Sequence, residues 1–278
     1  MSQTQQAAAP KKMGRMIKTA LWLIFFAALY IWSFTGLEVE WKKIMESLKI
    51  VNKMLAGIFT PEWGFIWEDE GVLDNMLVTL EIALLGTTIA AILAVPFGFL
   101  AANNMSKRYP ILPFVEARFP VISWIGKRIL NVIRTMPELI VAIIFIVGVG
   151  PTAFAGVLAI GLHSIGLIGK LYSEAIENMD EGPMEAITAC GGSRLQVLWF
   201  AVVPQVLPEF FSFALYKFEI NVRAASILGM VGAGGIGTPL LFALKGHDWH
   251  RVGAILLVVI IVVFLIDMLS GAIRKRLV

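Results

Sequence analysis

Long uncharged stretches alternate with short charged ones along this chain. Thr19 to Thr35 carries no charge, Met76 to Asn103 only Glu81, Pro137 to Leu162 only Glu138, and Val252 to Ile273 only Asp267. Apolar runs of about 20 residues match a hydrocarbon core of about 30 Å at 1.5 Å per residue. The pattern predicts six membrane-crossing helices at about 19–36, 74–102, 137–149, 152–170, 204–229 and 252–273. The fifth is poor by hydropathy, because it holds Glu209, Lys217, Glu219 and Arg223.

Between these runs the punctuation is local. Residues 1–10 are small and polar and predict a disordered tail. Residues 37–71 mix Trp41, Trp63 and Trp67 with charges at helical spacing, which fits a helix and loop at the headgroup level. From Ile111 to Arg134 charged and apolar residues interleave, predicting a helix along or into the membrane surface. Pro137 restarts the third span, and Gly150-Pro151 marks a tight turn. Residues 229–251 form a Gly-rich segment before the last span. The first apolar run is longer than a usual signal-peptide core and no A-x-A site follows it, so it reads as an anchor. No internal repeat is visible.

Composition agrees: 58% of residues are hydrophobic and 15% charged, against about 25% charged in soluble domains. The net charge of +3 matters less than its placement. Lys11, Lys12, Arg15 and Lys18 precede the first run. Lys107, Arg108, Arg118, Lys127, Arg128 and Arg134 face Glu116 alone, and Arg274, Lys275 and Arg276 come near the end, whereas 37–71 is acidic. Cytoplasmic loops collect Lys and Arg, so both termini and the 103–134 loop read as cytoplasmic, which requires an even number of spans. No nucleic-acid partner is expected.

Little in the chain points to chemistry. Gly232-Ala-Gly234-Gly235-Ile-Gly237 spells G-x-G-x-x-G, but no strand precedes it and no ribose-binding acid follows. Gly169-Lys170 lacks the glycine and the Ser/Thr of a Walker loop. Three histidines and the lone Cys190 make no metal or nucleophile set. The charges within spans say more, since each costs about 2.5–3.5 kcal/mol on insertion scales and usually faces protein or a water-filled path. Lys217 and Arg223 sit about 240° apart on a helix. Glu219 and Arg223, four apart, share a face. Either they pair internally or Arg223, with Lys217 and His163, shapes a path suited to an anion.

One polar segment remains, Glu185 to Pro204, "EAITACGGSRLQVLWFAVVP". Glu185, Ala186 and Ile187, then Gly191, then Ala201 to Pro204 follow the spacing E-A-A-x₃-G-x₉-I-x-L-P. The segment resembles the cytoplasmic EAA loop of bacterial ABC-importer permeases, a short helix that docks into the ATPase subunit. Small residues allow close approach, Gly191 a sharp turn, and Pro204 a helix start where its missing N–H costs little. The likeness extends from about residue 72 onward: "TLEIALLGTTIAAILAVPFGFLAANN", "RTMPELIVAIIF", "AGVLAIGLHSIGLIGKLYSEAIEN" and "RAASILGMVGAGGIG" resemble the phosphonate-importer permease family, the last also methionine-type permeases.

That resemblance implies an all-α, type I importer permease with about six spans. A cytoplasmic tail would cover 1–18, an anchor and external segment 19–71, and the permease domain 72–278, with a coupling loop at about 177–200. It implies a multi-pass protein of the bacterial inner membrane that catalyses nothing and carries phosphonates or a related phosphorus oxyanion such as phosphite or phosphate. Its partners would be a second copy of itself, a pair of ATP-binding subunits holding ATP and magnesium, an extracytoplasmic phosphonate-type solute-binding protein and the lipid bilayer. Glu185, Ala186, Gly191, Arg194 and Pro204 are then candidates for ATPase coupling, and His163, Lys217 and Arg223 for the substrate path. The alternatives are a permease for another small solute such as an amino acid, or a secondary transporter working alone.

Overall fold

A computed structural model describes residues 11–36, 41–68, 71–104 and 119–277. Every element among them is helical. The 1–10 tail, Lys107, Arg108, Glu116 and Arg118 lie outside the described residues. The chain divides into two units, one up to Ala56 and one from Gly57 onward.

The first unit holds α1 (Lys11–Gly36) and most of α2 (Trp41–Ile58). In α1 the stretch Met16–Gly36 is long and apolar enough to cross a membrane, and none of it is buried. Trp22 stacks on Phe26 with ring centroids 5.8 Å apart. In α2, Leu48, Val51 and Leu55 recur at helical spacing among Lys42, Lys49 and Lys53, the amphipathic pattern of a surface helix.

The second unit is a helical bundle: α3 (Trp63–Ile66), α4 (Val72–Ala101), α5 (Phe119–Thr135), α6 (Glu138–Val149), α7 (Ala153–Asn178), α8 (Gly182–Ala189), α9 (Arg194–Val197), α10 (Val203–Leu228), α11 (Gly237–Lys245) and α12 (Trp249–Leu277). At its centre α4 packs along α7. The buried seam of α4 is Ala83, Gly86, Thr87, Ala90, Ala94, Gly98 and Ala101, a small residue every three or four positions. Small seams let helix backbones approach where lipid offers no competing hydrophobic force. A Cβ on Gly86 would fall 2.8 Å from Ile160 Cγ2, and one on Gly98 2.8 Å from Tyr172 Cβ.

These contacts fix direction. Gly86 meets Ile160 and, further along both helices, Gly98 meets Tyr172, so α4 and α7 run parallel. The chain must therefore return from the far end of α4 to the near end of α7, and among the described residues only α5 and α6 lie between. The structure corrects the expected third span here. At 12 residues, α6 is about 18 Å long, too short to cross alone. Ser123–Thr135 and Glu138–Val149 are together long and apolar enough to cross a membrane, bent by 85° at their junction. Pro137, extended at φ −61° and ψ 127°, makes the break, because it donates no N–H and keeps Met136 out of the helical region. The helix expected within 111–134, α5, packs into the bundle: its Leu130 is 2% exposed and lies against Gly169 of α7.

The remaining helices close the bundle. Phe210 lies on Tyr172 and Asn221 beside Ser164, so α10 runs antiparallel to α7. With Arg194–Val202 before it and Gly229–Val231 after, α10 belongs to a continuous stretch of 38 residues, about 57 Å long and well beyond a bilayer core. Lys217 and Glu219, two of the charges that lower its hydropathy, are buried within the bundle. The Gly-rich segment is a left-handed turn, with Gly232, Gly234 and Gly235 at φ 108°, 76° and 73°, followed by α11. Thr79 Oγ1 accepts from the N–H of Ile236 at 2.8 Å and pins that turn to α4.

Candidate functional site

The segment singled out by its E-A-I…G spacing forms a helical hairpin. Pro183 lies in the first turn of α8, whose end closes with Gly191 N–H on Thr188 O (3.0 Å) and Gly192 N–H on Ile187 O (2.9 Å). These are the paired bonds of a Schellman cap, which needs a left-handed residue at its corner. Gly191 supplies it at φ 80° with open space around its Cα. Ser193 then starts α9 with a capping box, its N–H donating to Gln196 Oε1 at 2.7 Å and its hydroxyl accepting from Gln196 N–H at 3.4 Å. The sequence S-x-x-Q carries that signal, and it adds Ser193 and Gln196 to the expected set.

The hairpin is exposed except where it is pinned. Met184, fully buried, and Val197 enter a core with Ile176, Ala201, Val202 and Val206. Glu185, Ala186 and Arg194 face outward. Between the two arms lies an open hollow of about 520 Å³, lined by Ala186, Ile187, Cys190, Gln196 and Phe200. Leu195, Trp199 and Phe200 are 63%, 64% and 72% exposed. Pro204 stands in the first turn of α10, after a single π-turn over Leu198–Val202.

Of the three candidate path residues, Lys217 and His163 lie near each other and Arg223 lies apart. Lys217 is 1% exposed and lies close enough to act electrostatically on both Glu138 and His163. His163 Nδ1 stands 3.9 Å from Glu138 Oε2. Glu138, set at the start of α6 just past the Pro137 break, was not among the expected residues. Its solitary position in an apolar run was the signal for it. One turn along α10 from Lys217, Asn221 Nδ2 donates to Thr87 Oγ1 at 2.7 Å and to Ser164 Oγ at 3.0 Å, so a polar seam runs through the bundle where α4, α7 and α10 meet.

Arg223 belongs to a different face. Its Nη2 donates to Glu219 Oε1 at 2.7 Å, while Arg274 in the last turn of α12 donates to Glu219 Oε2 at 3.2 Å. The carboxylate is 9% exposed and the Arg223 side chain 54%. Glu219 thus pairs with two guanidiniums and leaves the trio one positive charge in excess. Among the described residues, no group of three or more His, Cys, Asp or Glu side chains is placed to hold a metal ion.

Comparison with known proteins adds the wider context. A family profile described as "Binding-protein-dependent transport system inner membrane component" matches residues 94–278. The phosphite transport system permease protein PtxC of Stutzerimonas stutzeri is 44% identical over 201 residues, covering 72% of this chain and 69% of that one. The phosphate-import permease protein PhnE of Mycolicibacterium smegmatis is 38% identical over 200 residues, 72% of this chain but only 36% of its own length. Among solved structures, an inward-facing form of the MetNI methionine ABC transporter superposes with a TM-score of 0.65 at 20% identity, covering 78% of this chain and 99% of that one.

Proposed function

The chain belongs to the binding-protein-dependent transport system inner membrane component family, and from that premise we propose that it is the permease subunit of an ATP-driven importer for a phosphorus oxyanion. Phosphite, phosphate and phosphonates share the tetrahedral anionic oxygens that this reading requires. The names of the two relatives, phosphite and phosphate permeases, favour it over an amino-acid permease. Its partners are a second copy of itself, two ATP-binding subunits that hold ATP and magnesium, and a solute-binding protein on the outer face of the inner membrane. Both termini are cytoplasmic in this reading.

One observation carries the proposal: an outward-facing helical hairpin, cornered at Gly191 and anchored by Met184, presents small residues beside an open apolar hollow. Such a knob suits docking into a cleft of an ATPase. Closure of the ATPase pair around ATP then moves the hairpin, and the two permeases rock between inward and outward openings. This chain's residues hold the hairpin rigid, line the passage and supply positive potential at Lys217 and Arg223. Because a low-dielectric passage opposes an anion, that potential favours entry.

The test is reconstitution. The chain, coexpressed with its ATPase subunit and binding protein, is purified and placed in liposomes. Copurification of the ATPase and ATP-dependent uptake of phosphite, phosphate or methylphosphonate are expected. Uptake without ATP would point to the secondary transporter, and uptake of an amino acid alone to the other permease class.

A further inference from the structure

The hairpin is tied to the bundle by one side chain whose role the E-A-A pattern does not include. Gln205 lies in the first turn of α10. Its Oε1 accepts the N–H of Asp180 at 3.1 Å, and its Nε2 donates to the carbonyl of the same Asp180 at 3.2 Å and to Ala201 O at 2.8 Å. Asp180 stands in the short link between α7 and α8. Its own carboxylate accepts the N–H of Gly182 at 2.9 Å and so opens α8. A single primary amide therefore fixes both polar groups of the peptide link that begins the hairpin.

The backbone beside this contact departs from the regular α-helix. Leu198–Val202 is a π-turn in which Val203 N–H reaches back to Leu198 O, and such single turns recur at functional sites. Pro204 follows with no N–H to donate. Apolar packing of Met184 and Val197 against Ala201, Val202 and Val206 spans this turn without direction. Gln205 adds a directional polar bridge, gripping Ala201 within the π-turn and Asp180 across from it.

We propose that Gln205 is the positioning residue that makes the coupling hairpin and α10 move as one body, so that displacement of the hairpin reaches the helix carrying Lys217 and Arg223. Its chemistry is specific: an amide both donates and accepts, a carboxylate only accepts, and an alkyl chain does neither. The proposal rests on the ATPase-docking reading of the hairpin.

The assembled complex in liposomes tests it, with ATP hydrolysis and substrate uptake measured together. Gln205→Leu is expected to retain its ATPase subunits and hydrolyse ATP within about twofold of wild type, while substrate moved per ATP falls about five- to tenfold, the lower end of ordinary coupling energies. Gln205→Glu keeps the acceptor for Asp180 N–H and is expected to fall between. A purely structural role predicts something else, parallel loss of membrane abundance, ATPase association and uptake with the ratio unchanged, and that result overturns the proposal. So does a Gln205→Leu complex with wild-type uptake per ATP. A wild-type complex that holds no ATPase removes the docking reading and the strut together.

Discussion

Glu219 shows how a residue chosen for one reason answers a different question. Its spacing to Arg223 left pairing and a path role as rivals, yet the structure puts a second guanidinium, Arg274, on the same carboxylate. Pairing and positive potential then coexist, because two cations share one anion. The two arginines are not equivalent. Arg223 is 54% exposed and Arg274 29%, so Arg223 meets solvent or a passing anion more readily. In Arg223→Gln, Glu219 keeps Arg274, so the protein is expected to reach the membrane at normal abundance with lowered uptake. In Glu219→Gln a nearly buried acceptor of two charged hydrogen bonds is lost, costing about 1–3 kcal/mol, and abundance itself is expected to fall. Adding Glu219→Gln to Arg223→Gln is not expected to restore uptake. Quantitative membrane blots beside uptake assays distinguish these cases, and full uptake by Arg223→Gln alone would remove that residue from the path.

At the scale of elements, the hairpin was the most legible part of the chain, and the reason is chemical. Its corner uses residues with narrow tolerances: Gly191 for a left-handed φ, Ser193 and Gln196 for a capping box, Pro204 at a helix start. Each leaves a mark at fixed spacing. The break between α5 and α6 was half legible. Pro137 announced a restart, but the pattern could not say that the two pieces together make one crossing, because that follows from α4 and α7 running parallel. Least legible was the grouping of half-buried Glu138 and His163 with buried Lys217, whose members come from three helices and share no spacing. Gly191 gives the direct test at this scale. A Cβ at Gly191 meets nothing within 4 Å, so the main effect expected of Gly191→Val is forcing a β-branched residue into the left-handed region, which costs about 1–2 kcal/mol. Membrane insertion is expected to persist while the hairpin corner distorts and hydrolysis uncouples from uptake. Normal uptake with substrate-stimulated hydrolysis would end the assignment of this corner to coupling.

For the whole molecule, the directions of the helices impose a count. With the bent α5–α6 pair taken as one span, α4 to α12 hold five candidate crossings: α4, α5–α6, α7, α10 and α12. The last direction follows from Arg274 meeting Glu219 while Ile255 shares a core with Leu228, which sets α12 antiparallel to α10. Five crossings place the start of α4 and the end of α12 on opposite faces, so the basic turn Arg274–Arg276 lies across the membrane from Glu68. Lys and Arg collect on the cytoplasmic side, so Glu68 and the Gly150-Pro151 turn are expected outside, and the hairpin inside with the end of α12. A sixth crossing by α1 would then return the first charged residues, Lys11 to Lys18, to the cytoplasm. Single cysteines in a Cys190→Ser background test the scheme with an impermeant thiol reagent. Cysteines replacing Glu68 and Pro151 are expected to label in intact cells, and those replacing Lys12, Lys107 and Lys275 only after permeabilisation. The Pro151 site is decisive for the broken span. If it labels with Lys107 rather than with Glu68, α5 and α6 dip in and return, and α4 and α7 cannot run parallel as their interlocking small seam requires. If Lys12 labels with Glu68, α1 does not cross, and the charge pattern ahead of it misled the orientation of that end alone.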